Sequence, residues 1–144
     1  MSNSPRRTRT VIDAALLERL ETLAGAAIAR FPDVAYPLVN KLAAASLVEG
    51  ARLPRDVVTI GSDVLYHDHH AARDLRVRLA WPEQADISKG IVSVLTPVGV
   101  ALLGLSEGDE FQWTTPAGAE RGLTILQVGS ARQAPEAEAR SSTI

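Results

Sequence analysis

Apolar side chains recur at intervals of three and four residues along the first third of the chain, and at every second residue from Asp56 onward. The first pattern predicts helices and the second strands. Leu16, Leu20, Leu23 and Ala27 form a helical stripe flanked by charged residues. Asp13 is placed to cap that helix, with Ile12 and Leu17 as a hydrophobic staple across the cap. Phe31-Pro32 cannot continue it, so it should end near Arg30. About 18 residues at 1.5 Å each give an arm of roughly 27 Å. A second helix is predicted from Pro37, carrying Leu38, Leu42 and Ala45 on one side and ending at Glu49-Gly50. A connection of about six residues suits antiparallel neighbours, and the pair reads as a short helical hairpin.

Beyond a hinge at residues 51–55, marked by Pro54, strands are predicted near Val57–Ile60, Asp63–His67, Leu75–Trp81, Ile91–Leu95, Glu110–Thr115 and Leu123–Val128. Leu75, Val77, Leu79 and Trp81 alternate with Arg76, Arg78 and Ala80, which gives one buried and one wetted side. One short helix interrupts the series at Thr96-Pro97-Val98-Gly99-Val100-Ala101-Leu102-Leu103-Gly104-Leu105. Thr96 can cap it, Pro97 suits its first position, and Gly104 and then Gly108-Asp109 end it. The fold class is α+β: a hairpin over 11–50, then an antiparallel sheet with one short helix over 54–130. Residues 1–10 read as a flexible arm and 131–144, rich in Ala, Glu, Arg, Ser and Pro, as a disordered tail.

Composition narrows the possibilities. Apolar residues make up 46% of the 144, enough for one core, but aromatics only 4%, so an aromatic-rich pocket is not expected. There is no cysteine, which removes disulfides and thiolate metal sites and fits a reducing compartment. Arg6, Arg7 and Arg9 are followed by no unbroken apolar run, so the start does not read as a signal peptide. No stretch is long and apolar enough for a membrane span, and a cytoplasmic protein is expected. A formal charge of −2 argues against direct, sequence-specific binding of nucleic acid.

Candidate chemistry is sparse. His67-Asp68-His69-His70 places two imidazoles on one strand face, but no cysteine or distant histidine completes a zinc site, and a polar hairpin turn is the simpler reading. Ser62 and Ser93 lack a nucleophile elbow. No glycine-rich phosphate loop is present. No cofactor and no catalytic residue is expected.

The Thr-Pro-x-Gly-x-Ala-Leu-Leu-Gly run at Thr96–Gly104, followed by Gly108-Asp109, resembles the signature of the C-terminal domain of bacterial Gre transcript-cleavage factors. The resemblance continues through Thr115-Pro116-Ala117-Gly118 and Leu123–Val128, and reaches back to Asp56–Ser62. It looks most like the Rnk type, the small Gre-like proteins called regulators of nucleoside diphosphate kinase. The resemblance implies a fold similar to the prolyl isomerase FKBP and a partner, RNA polymerase, met through Leu95, Thr96 and Pro97. The alternative is that Thr96 and Pro97 only start the helix. Gre factors present acidic residues at the tip of a long coiled coil to help hold a second Mg²⁺. Here the tip offers Asp33 alone, between Phe31 and Tyr36, on shorter arms. Binding is therefore carried over and cleavage is not. Phe31 and Tyr36 either cover the hairpin's own apolar seam or touch a partner. Competition with Gre factors would alter transcription, and any effect on the kinase would be indirect. Two other readings stand beside this one: a generic interaction domain, which includes direct binding of the kinase, and a weak prolyl isomerase.

Overall fold

In a computed structural model of the chain, residues 9–129 are described, so most of the expected arm and the whole expected tail lie outside the described residues. Strand β1 (Val11–Asp13) opens the described chain, and Asp13 accepts a hydrogen bond from Ala15 N–H at 2.9 Å to cap a short 3-10 turn. Helix α1 (Leu17–Ala27) follows it, starting later than the cap alone suggests. Helix α2 (Pro32–Ala44) leads into β2 (Ser46–Val48), which pairs in parallel with β1.

Helix α2 departs from the expected second helix at both ends. Two prolines compete for its first position, and Pro32 takes it, leaving Pro37 inside. The bond that Pro37 forfeits is the one to the carbonyl of Asp33, a solvent-exposed residue, so the loss is cheap at that point. At the other end the ladder with β1 takes Ser46–Val48 out of the helix. Thr10 extends that ladder, its carbonyl accepting the Ser46 N–H at 2.8 Å.

The main sheet contains β3 (Asp63–Asp68), β4 (Arg73–Ala80), β5 (Ile91–Ser93), β6 (Glu110–Thr114) and β7 (Glu120–Gly129), in the spatial order β5-β4-β3-β7-β6. It is mixed, whereas the sequence suggests a purely antiparallel sheet: β5 runs parallel to β4. Residues 81–90 explain this, because two 3-10 turns ending at left-handed Gly90 (φ 73°) carry the chain back to re-enter beside β4 in the same direction. Val57–Ile60 is not a strand. Val57 forms one isolated bridge with Ser106, and Val58 exchanges backbone bonds with Leu105 and Gly104.

One face of the sheet carries Val64, Tyr66, Leu79, Leu123 and Ile125 into the core. The other face joins Asp63 to Arg78 at 2.9 Å and His67 to Asp74 at 2.8 Å, both directly cross-strand. A register shift between β3 and β7 leaves Leu126 as the extra residue, and it points to solvent. Helix α3 (Pro97–Leu102) buries Val100, Ala101 and Leu102 in the same cluster as Leu20 and Ala24 of α1 and Leu38 and Leu42 of α2. The helices and the sheet thus share one core. Among the described residues no helix is long and apolar enough to cross a membrane.

Candidate functional site

The corner between β5 and α3 is held by short-range chemistry. Ser93 Oγ accepts from Leu95 N–H at 2.9 Å, and the Thr96 hydroxyl donates to the Ser93 carbonyl at 2.7 Å. The same hydroxyl oxygen accepts from Gly99 N–H at 3.0 Å, completing the helix cap. Pro97 occupies the first helical position. Gly99 is dictated by packing: a Cβ there would lie 2.1 Å from the Ser93 carbonyl oxygen and 2.8 Å from Val94 Cα. At the far end Gly104 (φ 83°) donates to the Val58 carbonyl and accepts from Val11 N–H.

Of the three corner residues singled out from the sequence, Pro97 is exposed, while Leu95 and Thr96 are half-buried, Leu95 packing against the core. Beside them opens a cavity of about 230 Å³, bounded by Pro97 and Val98 of α3, Tyr66 and Asp68 of β3, Trp113 of β6 and Arg121 of β7. Burial and the Asp68 carboxylate raise the Tyr66 hydroxyl above its ordinary pKa. Composition argued against an aromatic-walled pocket, yet two of the few rings meet here. Trp81 does not join them: it is buried, with Arg19 stacked 3.9 Å over its ring and paired with Glu83.

The second set of residues lies at the start of α2. Phe31 and Tyr36 are 55% and 53% exposed, each leaving more than half of its surface in solvent. Arg30 lies 5.8 Å over the Phe31 ring, and Asp33 stands exposed in the first turn, where a carboxylate favours the helix N-terminus.

The histidine cluster is taken up by hydrogen bonds. His67 pairs with Asp74, His69 Nε2 meets Thr124 Oγ1 at 2.7 Å, and Asp68 closes the turn by accepting from His70 and Ala71 N–H. Among the described residues no three His, Cys, Asp or Glu side chains converge as a metal site requires. Ser62 is buried and caps its own turn by accepting from Thr59 N–H.

Sequence reasoning passed over Lys41. It is buried on α2, and its ammonium donates to the carbonyls of Val100, Ala101 and Leu103 at 2.6, 2.9 and 2.8 Å, with the Phe111 ring centroid 4.4 Å away. Burial lowers its pKa from 10.5 to about 7. Its place between Leu38 and Leu42, on the apolar stripe, was the available signal.

A mixed sheet carrying a capped Thr-Pro helix and a glycine-jammed turn defines the class: the chain belongs to the Gre family. Residues 53–130 match the family described as "Transcription elongation factor, GreA/GreB, C-term". The chain is 35% identical over 96 residues to the Escherichia coli K12 protein called regulator of nucleoside diphosphate kinase, covering 66% of this chain and 70% of that one. It is 32% identical over 91 residues to transcription elongation factor GreA of Syntrophobacter fumaroxidans, covering 63% of this chain and 58% of that one. A solved structure described as prokaryotic transcription elongation factor GreA/GreB from Nitrosomonas europaea is 34% identical. It superposes with a TM-score of 0.67 over 85% of this chain and 99% of that one. These relatives are named as transcription factors or regulators rather than as enzymes.

Proposed function

We propose that the chain is a non-catalytic transcription regulator that binds RNA polymerase near its secondary channel. The observation that carries this reading is the family match over 53–130, the segment containing the cap at Thr96 and the exposed ring of Pro97. A corner fixed by three hydrogen bonds loses little freedom on docking, which favours it as the contact surface with Leu95, Thr96 and Pro97. In this reading α1 and α2 act as a short antiparallel hairpin and residues 54–130 as an FKBP-like docking domain. Phe31, Asp33 and Tyr36, exposed at the start of α2, reach toward the channel and compete with Gre factors for it. A single tip carboxylate does not supply the several oxygen ligands that a second Mg²⁺ needs. Effects on nucleoside diphosphate kinase are then indirect, through gene expression, in a cytoplasmic protein.

The test is the affinity of the purified protein for bacterial RNA polymerase core, with a Gre factor as competitor and backtracked RNA cleavage followed in the same tubes. Competitive binding without cleavage is expected. Absence of binding at micromolar concentration would sink the reading in favour of a generic interaction domain.

A further inference from the structure

Helix α3 is six residues long, and the donors that would ordinarily serve its last carbonyls are engaged elsewhere. Gly104 N–H, four residues beyond Val100, donates to Val58. Leu105 N–H, four beyond Ala101, donates to Leu102, and Glu107 N–H, four beyond Leu103, donates to Asp56. Lys41 of α2 meets all three of these carbonyls with one ammonium. Three N–H groups matched to three oxygens leave the side chain little alternative geometry. Its hydrogen-bond partners are main-chain carbonyls and its cation–π partner the face of Phe111, none of them a carboxylate.

Lys41, in the last turn of α2, joins the far ends of the two helices whose starts carry the surfaces proposed above. Phe31, Asp33 and Tyr36 stand at the start of α2, and the Thr96–Pro97 corner is the start of α3. We infer that Lys41 is a lock that fixes the bearing of α2 on α3, and with it the position of the aromatic tip relative to the docking corner. The lock itself rests on geometry alone, whereas its use in transcription rests on the function proposed above. Leu20, Ala24, Leu38 and Leu42 supply apolar burial between the layers, and apolar contacts tolerate sliding. Bonds to three fixed oxygens do not, which is how a buried polar group can specify one packing.

The lock is sensitive to protons. A neutral amine has two N–H groups for three carbonyls, and burial brings its pKa to about 7. Burial is the cause of that shift. Helix α3 has no charged side chain, and Pro37, Leu38, Ala44 and Ala45 flank Lys41 on α2. Glu110 and Gln112 alternate away from Phe111 on β6. On α1, Glu18, Arg19 and Glu21 are exposed, with Arg19 paired to Glu83.

The native chain has no cysteine, so spin labels on Asp33→Cys and Gln112→Cys, both at exposed positions, report the α2-to-sheet distance in the isolated protein by double electron–electron resonance. With Lys41 present the distance distribution should be narrow at about pH 6, and Lys41→Met should make it about twofold broader. The same broadening should develop in the Lys41 chain between about pH 6 and about pH 8.5 and be absent from the pH series of Lys41→Met. A Lys41→Met distribution as narrow as the parent's overturns the lock. If Lys41→Met does not fold, the pH series of the parent decides, and an unchanged distribution overturns it. Polymerase is absent from these samples, so a failure of docking leaves this result standing, and a failure of the lock leaves docking untouched.

Discussion

The start of α3 and the start of α2 are both proline-led helix beginnings, yet they are built in opposite ways. At Thr96–Gly99 one hydroxyl both donates to the Ser93 carbonyl and accepts from Gly99 N–H, and the glycine has no room for a methyl group. At Phe31–Tyr36 the cap residue makes no side-chain hydrogen bond, and both rings stand more than half exposed. One beginning is determined by its own contacts. The other leaves two aromatic rings largely in solvent, with no side-chain hydrogen bond at its cap.

The contrast is broken most directly at Gly99. Gly99→Ala drives a Cβ against the Ser93 carbonyl and the Val94 backbone, neither of which can yield as a side-chain end can. A loss of about 3 kcal/mol is expected in urea unfolding. A loss below about 1 kcal/mol would mean that the corner is far more plastic than its contacts imply.

This difference also decides what could be read in advance. The Thr96 cap, Pro97 and the glycines are local chemistry within ten residues, and the sequence displays them directly. The direction of β5 depends on how residues 81–90 turn back, and Pro37 lies inside α2 because Pro32, five residues earlier, claims the first position. Neither follows from periodicity. Lys41 was hidden by its charge: a lysine is ordinarily assigned to solvent, and only the missing donors of α3, some sixty residues away, explain why this one is buried. The cavity at Trp113 and Tyr66 is equally a product of strand order, since β6 and β3 both flank β7.

Lys41 sharpens the comparison because it links the two helices. Lys41→Met leaves three carbonyls short of a donor while removing a buried charge, and the net loss near pH 7 is expected to be about 1–2 kcal/mol. The lysine pKa is 10.5 when exposed and about 7 when folded. Below pH 7 both states hold the proton; between 7 and 10.5 the unfolded state holds more. Stability of the Lys41 chain therefore rises with pH across that window, and the gap to Lys41→Met should widen between about pH 7 and about pH 9. Unfolding curves at the two pH values that show a constant gap would contradict it. Stability and definition part company here, since losing the proton relieves a buried charge while withdrawing a donor.

A smaller effect is expected at the cap. Thr96→Ala removes the oxygen that Gly99 N–H meets and the hydroxyl that holds the Ser93 carbonyl, for about 1 kcal/mol in thermal or urea unfolding. Thr96→Ser keeps both bonds and should restore most of the loss. Failure of the serine to do so would shift the cause from the hydrogen bonds to packing of the threonine methyl group.

The smallest effect on folding belongs to the tip, and it separates the two regions most cleanly. Phe31→Ser and Tyr36→Ser change exposed side chains and should each alter stability by less than about 0.5 kcal/mol. If the rings serve a partner, the paired variant keeps its affinity for polymerase core through Thr96 and Pro97 but loses its advantage against a competing Gre factor. Thr96 and Pro97 variants should do the reverse, losing core affinity with the tip intact. A tip variant that melts more than about 1 kcal/mol earlier would show that the rings support the helices after all, because exposed aromatics contribute to stability only where they cover apolar surface. Loss of core affinity from the tip variant, with stability unchanged, would instead make the tip the primary contact and the corner its scaffold.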